Sequence, residues 1–246
     1  MKILLLAGNT LGARAYAQQL EHLSASLYEI KGIFYGDRDT ECSIPALDDK
    51  TRNHLLQESL HIPNFEESLE TTFARNNWVL QKVFQKDVNS DAVISEIRDL
   101  NCDIVIFAGY GGQLLREKHF QSHAQYLHLH PGKLPFERGS TTIYYSILNQ
   151  RPITVTGFYM TEDIDQGKNI IHCEYSVPPR GVNIDLWLDN VVRADCLLKA
   201  LDNICFKKPL IPNPLDASEE FYIIHPVLKH VALLSLKDSQ QQNANT

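Results

Sequence analysis

The 246-residue sequence predicts an α/β fold built on a mostly parallel sheet, with a short C-terminal extension. Three observations predict it. Residues 3–6 and 104–107 are apolar runs without alternation, as strands covered on both faces require. Each run breaks at a glycine-containing turn followed by a helical stretch, the strand–turn–helix unit of a βαβ crossover. Strand-like and helical segments then keep alternating to residue 206, with no Gly/Ser or Pro linker and no internal repeat between them.

The elements follow in order. Residues 3–6 end in Ala7-Gly8-Asn9-Thr10-Leu11-Gly12, and a helix is expected over about 13–23. Residues 28–35 alternate as a second strand and stop at the loop-like Gly36-Asp37-Arg38-Asp39. A polar helix is expected over 48–60. Residues 64–87, where Glu66, Glu67 and Glu70 precede Trp78, Val79, Leu80, Val83 and Phe84, read as one or two helices packed on the sheet. Asn89-Ser90-Asp91 supplies side-chain acceptors for the free N–H groups of a helix through Ile97. The strand at 103–108 breaks at Gly109-Tyr110-Gly111-Gly112, with a helix starting over 113–117. Residues 126–130, Tyr-Leu-His-Leu-His, end at Pro131-Gly132, and period-two alternation turns both imidazoles to one face. A helix over 140–149, a strand over 153–160, an acidic loop over 161–167, a strand over 170–175 and an amphipathic helix over 184–206 complete a single domain expected over residues 1–206. Residues 207–236 are too apolar to be left in water and are expected to pack on the core or on a second copy in a homodimer. Residues 237–246 read as a disordered polar tail.

Composition excludes several classes. With 43% hydrophobic and 22% charged residues the chain is neither disordered nor fibrous. Twenty-three Lys+Arg against 30 Asp+Glu give a net charge of -7, and the longest basic run, Lys207-Lys208, is no nucleic-acid footprint. Five widely spaced cysteines without a C-x-x-C pair read as reduced thiols. The apolar start at 3–7 is shorter than a signal-peptide core, and no window approaches the ~20 apolar residues of a membrane span. A cytoplasmic protein with no nucleic-acid or membrane partner is expected.

The chemistry concentrates at His128, His130 and Asp165, each at or just past the end of an expected strand. The residues alone leave three readings open. His-x-His with a carboxylate is a ligand set for zinc or iron with an open water position, as in a metal-dependent hydrolase. The same groups can move a proton and stabilise an oxyanion. Two hydrogen-bonded, inert histidines are the third.

The segment His128-Leu129-His130-Pro131-Gly132-Lys133-Leu134-Pro135-Phe136-Glu137-Arg138-Gly139 resembles the Asn-x-His-Pro-Ser-x-Leu-Pro-x-x-Arg-Gly signature of the folate-dependent formyltransferases. Residues 155–167, Val-Thr-Gly-Phe-Tyr-Met-Thr-Glu-Asp-Ile-Asp-Gln-Gly, are similar to that family's Val-Thr-Ile-His-x-Met-x-x-x-Ile-Asp-x-Gly. The likeness covers about residues 1–175 and is best over 87–172. It implies a Rossmann-like formyltransferase fold and transfer of the formyl group of 10-formyltetrahydrofolate to an amine. By resemblance His130 and Asp165 handle the proton, while Gly111, Gly112, Gln113, Leu114 and Leu115, with Asp163, Ile164 and Asp165, hold the folate. No resident metal is implied.

One departure stands at the centre: His128 occupies the position of the family's asparagine. An imidazole N–H can replace an amide donor, with a pH response expected near ~6.5. Phe158 and Thr142 also depart from the family's usual histidine and proline. A non-catalytic folate- or sugar-binding relative is the reading in which the site has lost activity. Among acceptors, tRNA is disfavoured by the acidic balance and the lack of a basic module after residue 175. Elimination leaves the amino-sugar N-formyltransferases as the most similar group, with a nucleotide-linked or sialic-acid-like amino sugar as substrate and Asn9, Lys133 and Arg138 as its contacts.

Overall fold

The computed structural model describes residues 1–36, 44, 46–212 and 219–238. Nine strands form: β1 (Lys2–Ala7), β2 (Glu29–Tyr35), β3 (Val79–Val83), β4 (Ile104–Ala108), β5 (Gln125–His130), β6 (Glu137–Gly139), β7 (Ile153–Tyr159), β8 (Lys168–Tyr175) and β9 (Glu219–Phe221). The helices are α1 (Leu11–Leu20), α2 (Asp49–Gln57), α3 (Leu69–Arg75), α4 (Asp91–Leu100), α5 (Glu117–Phe120), α6 (Thr142–Leu148), α7 (Asp189–Cys205) and α8 (Pro226–Ser235). Seven strands make the main sheet in the order β3-β2-β1-β4-β5-β7-β8. Its first five are mutually parallel, while β7 runs antiparallel to both β5 and β8. The fold is α/β with a mostly parallel sheet.

The apolar runs are explained by burial on both faces. Ile3 and Leu5 of β1 enter the layer that holds α1 and α7, and Leu4 and Leu6 enter the layer under α4. All four are fully buried, so neither face could be polar. Truncating one of them to alanine removes about 2–5 kcal/mol, because the close-packed surroundings cannot collapse onto the gap.

Three expectations are corrected. Residues 64–87 are not helical throughout: after α3 the chain forms β3, which pairs with the open edge of β2 and satisfies its backbone groups. Trp78, edge-on to Phe73 at 5.5 Å, anchors that strand to α3. The helix expected from 113 begins only at Glu117, because Asn89 takes the Leu114 carbonyl and the Arg116 N–H in its own side-chain hydrogen bonds. The helix expected over 184–206 opens with a π-helical turn at Ile184–Leu188 before α7.

The C-terminal segment lies on the core. β9 pairs in parallel with β6; α8 buries Ala232, Leu236 just beyond its end is buried too, and Val227, Leu228, Val231 and Leu234 face outward. The expected tail falls, from residue 239, outside the described residues, as do residues 37–39 of the loop after β2. Among the described residues no helix is long and apolar enough to cross a membrane. Cys102, Cys173, Cys196 and Cys205 are free thiols.

Candidate active site

A cleft of about 950 Å³ opens at the carboxyl ends of β1, β4 and β5, where the strand order reverses. His128, His130 and Asp165 all line it. Alternation along β5 brings both histidines to this one cleft.

His130 is 2% exposed, and its two nitrogens face different partners. Its Nε2 lies 2.5 Å from the Glu137 carbonyl. A carbonyl only accepts, so the proton of the neutral ring sits on Nε2 and Nδ1 is left to take another. That nitrogen is 3.6 Å from Asp165 Oδ2, close enough for the carboxylate to stabilise an imidazolium once it forms. Asp165 has a left-handed backbone, φ +53°, which an aspartate tolerates better than most residues and which its contacts must hold. One contact is the Gly139 N–H, which donates to Oδ2 at 2.8 Å. Both partners of the pair therefore hang from the backbone of β6.

His128 packs between Phe107 and Phe158, with ring centroids 6.1 and 5.9 Å away, and its buried Nδ1 has no partner. Burial first, and then the Arg193 guanidinium, push its pKa down to about 4, against the opposing pull of Asp165 and the Phe107 carbonyl. At neutral pH the ring is uncharged. It resembles the amide it replaces in charge, and the expected pH response near ~6.5 is moved to acid.

The glycine turn is clamped from below. Tyr35 donates its hydroxyl to Gln113 Oε1 at 2.5 Å, and Gln113 Nε2 donates to the Lys86 carbonyl. Gly111 and Gly112 have open space where a Cβ would stand, and Gly112 sits at φ +80°. Gly111, Gly112, Gln113, Leu114 and Leu115 line the cleft, and Asp163, Ile164 and Asp165 line it from the opposite loop. Leu114 and Ile164 are apolar lips on the two sides, 57% and 50% exposed. A bare backbone, two apolar edges and carboxylates able to accept N–H bonds suit a flat, amine-bearing heterocycle such as a pterin.

The three expected substrate contacts are separated. Asn9 lines the cleft, its N–H donating to the Tyr110 hydroxyl and its Oδ1 accepting from Arg14. Lys133 and Arg138 are not among the residues that line it. The Lys133 ammonium is 3.2 Å from Glu174, and the Arg138 Nε is buried without a partner. The ligand set of a metal hydrolase is not assembled: among the described residues no group of three or more His, Cys, Asp or Glu could hold a metal.

Sequence reading missed two parts of the site. Asp189 and Arg193 of α7 form an ion pair at 2.7 Å on the cleft wall, where burial raises the Asp189 carboxyl against the pull of the guanidinium. Two charges four residues apart among Val191, Val192, Ala194 and Cys196 were the available signal. The π turn before them is a local feature that often marks functional sites. The second part is Glu220, Phe221, Tyr222 and Ile223, which join the wall from the C-terminal segment. No sequence signal ties them to Gly139 and Ser140 of the same cleft, some 80 residues earlier in the chain.

No family model matches the chain. A methionyl-tRNA formyltransferase of Ehrlichia ruminantium is 31% identical over 138 residues, 52% of this chain and 44% of that protein. The chain thus spans less than half the length of the curated relative it matches. Among solved structures, a sugar N-formyltransferase from a Shewanella species superposes with a TM-score of 0.59 at 15% identity, covering 96% of this chain and 87% of that one. A 4-N formyltransferase from Francisella tularensis gives 0.55 at 18% identity, over 95% and 86%. The fold is the formyltransferase fold. HypX from Aquifex aeolicus, solved in complex with tetrahydrofolic acid, carries the same fold over 93% of this chain and 30% of its own length, with a TM-score of 0.53 at 17% identity. The resemblance to formyltransferases read from the two signature segments is supported.

Proposed function

We propose that this formyltransferase-fold protein is an enzyme that moves the formyl group of 10-formyltetrahydrofolate to the amine of an amino sugar. The observation that carries the reading is the His130–Asp165 pair, with Nδ1 of the imidazole the nitrogen left for a proton. It shares one cleft with the clamped glycine turn and the 163–165 loop.

Bound there, the folate supplies an activated formyl carbon. The chain does the rest. As the amine nitrogen forms its bond to carbon, His130 Nδ1 takes the amine proton and Asp165 stabilises the resulting imidazolium. His128, neutral and aimed into the cleft, is the group able to donate a hydrogen bond to the oxygen on which negative charge builds. When the old carbon–nitrogen bond breaks, the proton held on His130 is available to the departing nitrogen, which closes the balance. Gly111, Gly112, Leu114, Asp163 and Ile164 hold the pterin, and the acceptor enters from the wall made by Asn9, α7 and residues 220–223. A homodimer would cover the outward stripe of α8.

His130→Ala and Asp165→Ala test the reading. Each is expected to lower turnover by about 10²-fold or more while binding of a stable formyl-folate analogue persists. Near-normal turnover in both, read by formation of the formamide, overturns it.

A further inference from the structure

Tyr222 and Ile223 are 75% and 78% exposed, the two most exposed large apolar side chains among the described residues, and both line the cleft that holds His128 and His130. The backbone that carries them is fixed on both sides. Phe221 packs on Tyr145 with ring centroids 4.5 Å apart, and its carbonyl accepts the Ser140 N–H at 2.8 Å. Tyr145 donates its hydroxyl to the Tyr222 carbonyl at 3.1 Å, and the Ile224 N–H donates to the Thr141 hydroxyl at 2.9 Å. The Ile224 side chain is buried. Phe221 and Ile224 thus tie the segment to α6 and the core, and Tyr222 and Ile223 between them are held out on the cleft wall. An anchored aromatic in water on the wall of a cleft is a surface set for a ligand to cover.

Its position selects the ligand. Phe221 stands opposite Gly139 in the β6–β9 register, the Gly139 N–H donates to Asp165, and Asp165 lies 3.6 Å from His130. Tyr222 is one residue on from that chain of contacts, so what it touches lies near the reacting amine. Beside it, Ser140, the Tyr144 hydroxyl and the Asp185 carboxylate that accepts from it at 2.7 Å line the same cleft. A pyranose has C–H bonds on one face and hydroxyls around its rim, and an aromatic face flanked by hydroxyls and a carboxylate matches both. The flat pterin has its own edge at Gly111 and Gly112. We propose, on the formyl-transfer reading above, that Tyr222 is the platform for the C–H face of the acceptor's sugar ring, with Ile223 closing its edge. Asp185 and Tyr144 then meet the hydroxyls of that ring, whose amine turns toward His130.

The test assays Tyr222→Ala, Tyr222→Phe and Tyr222→Trp for formamide formation on amino hexoses, free and linked to uridine or thymidine diphosphate, with the folate donor saturating. For each amine the wild type accepts, Tyr222→Ala is expected to raise the acceptor KM about tenfold, whereas Phe and Trp, which keep the ring, should stay within about twofold of the wild type. The Kd of a stable formyl-folate analogue, by titration calorimetry, should hold across the series, and melting temperature should too, since the side chain is exposed. An unchanged acceptor KM in Tyr222→Ala, a Phe variant as impaired as the Ala variant, or a weakened folate analogue overturns this inference alone. So does a matching loss in competition by uridine or thymidine diphosphate without the sugar, which would put the base on Tyr222, or a KM effect that tracks dissociation of a dimer in sedimentation, which would put a second copy there. Failure of the wild type to formylate any amine of the set overturns the formyl-transfer reading with it.

Discussion

The histidine that stands where the formyltransferase signature has asparagine does so as a neutral group, and its neutrality has a thermodynamic signature. In the unfolded chain His128 titrates near ~6.5, whereas in the fold it does so at about 4. Between those values the unfolded chain binds a proton that the folded chain refuses, so acid favours unfolding. The contribution is complete above pH ~6.5 and is lost as pH falls toward 4, together with that of His119, whose burial likewise lowers it to about 4. Melting temperature measured over this window should fall for the wild type. His128→Asn should lose less, by on the order of 2 kcal/mol, and should keep measurable transfer activity, since an amide supplies the same neutral donor. A variant with an unchanged acid limb of stability, or one folded but inert, would remove His128 from this role.

At the scale of elements, the three-residue β6 carries more than its length implies. Its Glu137 carbonyl holds His130, its Gly139 N–H holds Asp165, and the buried Glu137 carboxylate accepts from the Lys133 N–H and the Ser146 hydroxyl. Its strand partner is β9, whose Phe221 carbonyl accepts the Ser140 N–H at 2.8 Å. Gly139 sits at φ +101° with the Phe221 backbone where a Cβ would go. Gly139→Ala is therefore expected to cost at least about 1–2 kcal/mol of stability, by denaturant titration, and to lower turnover by moving the donor of Asp165. Unchanged stability and turnover would show that the β6–β9 seam does not position the pair.

Over the whole molecule, the cleft exists because the strand order reverses between β1 and β4, so that successive crossovers leave on opposite sides and open a crevice. A donor that fills this crevice in the native state alone must stabilise the fold. A stable formyl-tetrahydrofolate analogue at about 100 times its Kd is expected to add about 2.7 kcal/mol, seen as a rise in melting temperature. Chelator should leave that rise unchanged, since no metal ligand set is assembled among the described residues. A chelator-sensitive shift without a folate effect would return the metal-hydrolase reading.

Much of this was legible in the residues, and particular positions show why. Uninterrupted apolar runs can only be strands covered twice, so the parallel sheet followed from 3–6 and 104–107. Turn chemistry at 109–112 and the His-x-His alternation before Pro131 are local, and they placed the glycine loop and His128 and His130 on the cleft. Val79 to Val83 misled because an edge strand with one half-exposed face lacks a buried strand's signature and depends on β2 for its pairing. The tautomer of His130, the acid shift of His128, the Asp189–Arg193 pair and the wall from Glu220 to Ile223 were decided only by tertiary structure. Each depends on which groups meet across long sequence separations, and hydrogen bonding, desolvation and Coulomb interactions act through distance in space, of which spacing along the chain carries no record.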